Sequence, residues 1–264
     1  MAPVAPALAP YVASLTAYDV DLGAPGVHRG LPGTTLTFVL PVGEPLDVGW
    51  QGVPASRAAR WSTVSGLHAH PAEIHHDGHQ RGFQLALTTA GARALFGLPA
   101  AELSGELLEL AEAAPLLRHL PEQLAEAPVE RRGMVVERAL VAELARHGAP
   151  AARREVGRAL AGLTRGVSVQ RVADEVGYSR RHLSSLVRAE CGLTPKEVQR
   201  IGRFEASRTM LGRAHLAGVA HACGYADQAH LTREWVALAG CTPTTWLREE
   251  FPFLQDHRAE DGPG

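Results

Sequence analysis

Two short runs of side chains in the last third of the chain have the types and spacing to read the edges of base pairs. The first holds Arg180, Arg181, Ser184 and Ser185; the second holds Gln228, Ala229, His230 and Arg233. Arginine bonds guanine through two donors, glutamine pairs with adenine, serine bonds either way, and an alanine methyl can touch the methyl of thymine. An arginine can equally meet phosphate, which positions a protein without specifying a sequence, and His230 fits a packed, capping role as well as a base contact. A third group, His68, His70 and Glu73, consists of metal-ligand types, and two histidines two apart share one face if they lie on a strand. The plainer reading of that group is a polar loop or a structural cluster of histidines.

The first two runs sit in corresponding places of an internal repeat. Val172-Ala173-x-x-Val176-Gly177-Tyr178 returns 47 positions later as Val219-Ala220-x-x-Cys223-Gly224-Tyr225. The offset then becomes 48, with Leu183, Val187, Gly192, Thr194 and Pro195 returning as Leu231, Trp235, Gly240, Thr242 and Pro243, so one residue is inserted in the second turn. Each unit has the parts of a helix-turn-helix: a short helix, a glycine for the sharp turn, an N-cap at Ser179 or Asp227, and a second helix. Leu183, Leu186 and Val187, and then Leu231, Trp235 and Leu238, are the expected buried positions of those second helices. Between the units, Pro195 to Leu211 predicts a long linking helix with Ile201, Phe204, Ala206 and Leu211 toward the core. Recognition helices entering consecutive major grooves on one face must stand about 34 Å apart.

The net charge of −2 hides a division: residues 151–250 carry 15 basic and 10 acidic side chains, and the rest carry 11 and 18. Only the basic segment is suited to a polyanion. No apolar run is long enough to span a membrane, and the first residues lack the basic start of a secretory signal, which predicts a cytoplasmic protein. Cys191, Cys223 and Cys241 form no CxxC pair and are expected to be reduced and buried.

The N-terminal part reads as mainly β, a sandwich or small barrel, over about 18–98, on runs such as Thr35 to Leu40, Leu46 to Trp50 and Gly82 to Leu87. A helical connector over about 100–148 follows. Leu107 to Ala114 is expected to be a short helix, breaks are expected at Pro115, Pro121 and Pro128, and a clear helix is expected from Met134 to Arg146 with Val135, Ala139, Ala142 and Leu144 near one face. His147-Gly148-Ala149-Pro150 is the best boundary signal, dividing an N-terminal domain at 1–148 from an all-α domain at 149–250, with a tail at 251–264.

On the quoted repeat, the linking helix and the run from Gly218 to Trp235 closed by Gly240-Cys-Thr-Pro, residues 163–250 resemble the DNA-binding domain of AraC/XylS-type transcriptional regulators. The resemblance implies base contact from the N-terminal parts of both recognition helices: Arg181, Ser184 and Ser185, then Gln228, Ala229, His230 and Arg233. Two features depart from the family pattern: Ser184 and Ser185 stand where longer polar side chains are common, and Val187 stands where an aromatic is common. The resemblance further implies a non-enzymatic regulator, expected to be an activator. Its expected partners are double-stranded promoter DNA, RNA polymerase, an unknown small-molecule or protein effector, and a second copy as a homodimer, with no cofactor. It also implies an N-terminal β-rich sensing or dimerisation domain, often cupin-like. The alternative is a metal-dependent cupin-like enzyme using His68, His70 and Glu73, although Pro71 and the short gap to Glu73 fit that metal motif poorly.

Overall fold

The computed structural model describes residues 4–147 and 154–249. Residues 148–150 of the expected junction, and the tail at 251–264, lie outside them.

Alternating apolar residues build two antiparallel sheets. One has the order β1 (Val12–Asp21), β8 (His79–Leu87), β3 (Leu36–Pro41), β6 (Thr63–Ser65) and β9 (Leu107–Leu108). The other has the order β2 (Gly26–Gly30), β7 (Ala72–His76), β4 (Leu46–Trp50) and β5 (Ala58–Arg60). Only Asp77 and Gly78 separate β7 from β8, so the chain passes from one sheet to the other in two residues. Leu46, Val48 and Ala72 of the second sheet pack against Val39 and Leu107 of the first. On β3, Leu36, Phe38 and Leu40 are fully buried toward the opposite face, as period-two alternation requires.

That face is covered by α1 (Thr89–Phe96), α2 (Leu110–Ala113), α3 (Leu120–Glu126) and α4 (Val129–His147). Leu110, Leu120, Leu124, Val136 and Leu140 join the same core as the strand residues. The expected connector is thus a third layer of the N-terminal domain, and each leucine fully buried there contributes ~1.5–3 kcal/mol. Three details differ from expectation. Leu107 and Leu108 extend the sheet edge by pairing with Ser65 and Val64, because the helix cannot begin until Glu109, whose capping box with Glu112 starts α2. Pro121 breaks nothing, since it lies in the first turn of α3, where no intrahelical donor is lost. Helix α4 starts at Val129, five residues before Met134, because Glu130, Arg131 and Arg132 favour helix and outweigh the ~1 kcal/mol cost of Gly133. Its buried ridge is Val136, Leu140 and Glu143, flanked by half-buried Val135, Ala139 and Leu144, while Ala142 is exposed.

The C-terminal part is helical throughout: α5 (Arg154–Thr164), α6 (Val169–Val176), α7 (Arg180–Cys191), α8 (Pro195–Met210), α9 (Leu216–Ala222), α10 (Gln228–Ala239) and α11 (Pro243–Glu249). Thr194 opens α8 with a capping box to Glu197. A Cβ on Gly202 would stand 2.3 Å from the Thr164 carbonyl oxygen, so glycine is what lets α8 cross the end of α5. The core does not divide where the sequence does. Leu163, Val172, Leu183, Val187, Val198 and Ile201 of the first helix-turn-helix unit belong to the same cluster as the N-terminal domain. The second unit has its own, around Phe204, Val219, Leu231, Trp235, Leu238 and Trp246. Among the described residues no helix is long and apolar enough to cross a membrane.

Candidate nucleic-acid interface

Two local devices set the second helix of each unit: a glycine with positive φ and a side-chain N-cap. In the first unit the Ser168 hydroxyl accepts from the Arg171 N–H to open α6, Gly177 ends it at φ 74°, and the Ser179 hydroxyl accepts from the His182 N–H at 3.2 Å to open α7. In the second, Gly224 takes φ 73° after α9, and the Asp227 carboxylate accepts from the His230 N–H at 2.6 Å to open α10. Positive φ without a steric penalty is why both turns use glycine. The N-cap follows Gly177 by two residues and Gly224 by three, which places the inserted residue in the second turn.

On α7, Arg180, Arg181, Ser185 and Arg188 are exposed and Ser184 is half-buried; the Ser185 hydroxyl also donates to the Arg181 carbonyl at 3.2 Å. On α10, Gln228, Ala229 and Arg233 are exposed, and Thr232 is half-buried with its hydroxyl donating to the Gln228 carbonyl at 2.9 Å. Both sets lie along the first two turns of their helices. Among the described residues Arg180, Arg181 and Arg233 have no ion-pair partner, so each guanidinium is free to meet an anion or a base. His230 is placed differently. Its Nδ1 accepts from the Ala226 N–H at 3.3 Å and its ring stands edge-on to Tyr225, with centroids 5.3 Å apart. His182 stands the same way against Tyr178, at 4.7 Å, so the tyrosine–histidine pair is part of the repeat and braces each turn.

Two polar contacts that the repeat pattern does not announce hold α10 in place. Trp235 Nε1 donates to the Ser207 hydroxyl at 2.8 Å, and Arg200 pairs with Glu234 at 2.6 Å, joining α8 to α10 twice. The signal for Ser207 was available: it lies three and six residues beyond Phe204 and Ile201, on the buried stripe of α8, whereas Ala206, expected there, faces solvent. Leu186, expected to be buried, is half-buried.

The N-terminal domain reaches both units. Arg93 on α1 makes a forked ion pair with Glu190 on α7, with contacts of 2.8, 3.0 and 3.1 Å. Glu205 on α8 accepts from the Thr34 N–H at 3.1 Å and the Thr34 hydroxyl at 2.7 Å. Arg29 pairs with Glu249 on α11 at 3.3 Å, and Leu31 and Ala69 pack on the core of the second unit.

His68 and His70 lie in the loop joining β6 to β7, and not on a strand face. Both rings lean on Trp50 with centroids 4.6 Å away, and His68 Nδ1 is 2.6 Å from the His70 carbonyl oxygen. Pro71 stops that loop from entering the ladder, and Glu73 lies beyond it on β7 opposite Arg29 and Gly49. Among the described residues no three His, Cys, Asp or Glu side chains are grouped to hold a metal ion. Cys191, Cys223 and Cys241 are free and buried; burial pushes the Cys191 thiol up to about 11, so it stays protonated and unreactive. A cleft of about 830 Å³ beside Tyr18, His75, His76 and Arg81 has mixed charge, much of it already paired, as Arg57 is with Asp47 at 2.9 Å.

Residues 152–249 match the family model of a helix-turn-helix domain. No curated protein matches the chain. Solved structures of ToxT from Vibrio cholerae share the fold. An apo variant is 10% identical with a TM-score of 0.53, covering 89% of this chain and 97% of that one. The wild type with an unsaturated fatty acid bound is 10% identical with a TM-score of 0.51, covering 94% and 97%.

Proposed function

Because residues 152–249 are a helix-turn-helix domain of the AraC/XylS type, a DNA-binding module of transcription regulation, we propose that this chain is a one-component, sequence-specific regulator whose N-terminal domain receives the signal. The observation that carries this is the pair of capped recognition helices with unpaired Arg180, Arg181 and Arg233 on their open faces. We assign Gln228, Ala229 and Arg233 to base edges and Arg180 and Arg188 to phosphate, with Arg181, Ser184 and Ser185 in the groove of the first half-site. His230 is assigned to bracing the turn, since its ring nitrogen is already engaged.

Reception of a small molecule is supported by the fold shared with ToxT, one of whose structures holds an unsaturated fatty acid. In this reading the DNA-bound chain meets RNA polymerase, a second copy fills an adjacent site as a homodimer, the protein acts in the cytoplasm, and no enzymatic step is involved. The domain division proposed with it is 1–148, 149–250 and a tail at 251–264. Selection of DNA sites by the purified full chain, followed by competition against random DNA at physiological salt, tests the central point. An enriched motif bound at least ~10³-fold more tightly than random DNA is expected; equal affinity for both would refute sequence-specific regulation.

A further inference from the structure

We propose that the apolar cavity between the N-terminal domain and the first helix-turn-helix unit is a binding site for a small, uncharged, apolar molecule that touches both domains at once. The cavity offers about 300 Å³, at the lower end of the range for small-molecule sites, and opens to solvent past Pro10, Gly157 and Ala161. One wall comes from Leu67 and the start of α1, and the other from Leu160 on α5, Leu193, and Val198 and Ile201 on α8. None of the sixteen residues lining it is charged, and the one titratable group among them, the Cys191 thiol, is kept neutral by burial.

That lining decides the class of ligand. A carboxylate placed here would lose its water and find no cation among the lining residues, and Arg93 is already paired with Glu190. Threonine side chains at positions 34, 35, 88, 89 and 164 supply the polar component, enough to orient one donor or acceptor on an otherwise apolar molecule. The position decides the consequence. Thr34 and Cys191 line the cavity, and the first is bonded to Glu205 on α8 while the second is the neighbour of Glu190, so two of the polar interdomain links described above border the occupant. A molecule that contacts both walls stabilises the arrangement in which they stand together, and it is linked to DNA affinity through whatever that arrangement does to α7. This last step rests on the regulator reading above; the binding itself does not.

Gly157 offers a clean way to test it. It lines the cavity from α5, and a Cβ built there meets nothing within 4 Å. Gly157→Leu therefore sets an apolar side chain on the exposed α5 rim of the cavity while favouring the helix, and Ala161→Trp sets a larger one there from one turn further on, at a small cost in helix propensity. Calorimetric titration of the full chain with indole, and with indole-3-carboxylate as its charged counterpart, is the measurement. Saturable one-to-one binding of indole is expected, at least tenfold weaker for the carboxylate, and at least tenfold weaker for either variant, with the unfolding midpoint of Gly157→Leu unchanged or raised and that of Ala161→Trp lowered only slightly. Absence of saturable indole binding, equal binding by the carboxylate, or full binding by both filled variants overturns the proposal. The regulator reading is scored separately by DNA-site selection: indole binding without any sequence-preferring DNA binding supports the cavity and removes the regulator, and the reverse pattern removes the cavity alone.

Discussion

Arg233 is exposed, unpaired among the described residues, and one turn beyond Ala229 on the face assigned to the groove. Its replacement by alanine should weaken binding to the selected site by ~1–3 kcal/mol and relax preference at one base pair. Competition against sites mutated one position at a time measures this, and a uniform loss on every sequence would reassign Arg233 to phosphate. At the same scale, burial holds His28 and His68 near pKa 4 instead of 6.5, helped at His28 by His76 and Arg29 and opposed at His68 by the hydrogen bond to the His70 carbonyl. The folded protein keeps both neutral while the unfolded chain binds protons below about 6.5. Their contribution is therefore complete above that value and is lost as pH falls toward 4, by up to ~3 kcal/mol for each ring. Urea unfolding at pH 7 and pH 5 should show a loss of about 2 kcal/mol per histidine, and His68→Gln should remove one share of it. The metal-ligand types at His68, His70 and Glu73 were readable as types but not as a site, because only the fold reveals that Pro71 keeps the two histidines in a loop against Trp50.

At the scale of elements, the repeat was the most legible feature, since glycine, N-cap and apolar positions each have one physical job at a fixed spacing. Replacing Gly224 by valine tests this directly. Its φ of 73° lies where a β-branched residue is strained, and space is not at issue, as the nearest atom to a new Cβ is Arg203 Cδ at 3.9 Å. Gly224→Val should cost ~1–3 kcal/mol of stability and impair DNA binding, while Gly224→Asn, which tolerates that backbone, should lose less. Chemical denaturation and binding of the selected site give the two readouts, and equal values for both variants would reject the turn as the cause. Other elements were hidden for stated reasons. Strand β9 is two residues long and exists by pairing with β6, and β7 has only Ala72 and Ile74 as apolar positions before His76 breaks the alternation. Ser207 lay on a readable stripe, but its purpose became visible only with the Trp235 indole beside it.

Across the whole molecule, the sequence divides at a glycine and a proline, while the core runs from the β-rich layers into α5, α6, α7 and α8. Periodicity along one chain segment carries no information about which distant surface it meets, so this continuity and the Arg93–Glu190 pair were out of reach. Glu190 is only 6% exposed, and Arg93→Ala would leave its carboxylate buried without a counter-ion. A loss of ~2–3 kcal/mol is expected, with a coupling above about 1 kcal/mol in the double-mutant cycle with Glu190→Ala; additive losses would mean that the two side chains do not depend on each other.

The separate core of the second unit gives the molecule unequal halves in time as well as in space. The helix assigned most of the base reading, α10, is anchored on a small cluster closed by Phe204, Trp235 and Trp246, distinct from the large one that joins the first sheet and its covering helices to α5, α6, α7 and the start of α8. Such a cluster opens as its own cooperative unit at lower free energy than the rest. Amide protons of α9 and α10 will therefore exchange with solvent sooner than those of α6 and α7, and the segment that discriminates between DNA sequences is the one that folds and unfolds most often on a protein that otherwise stays intact.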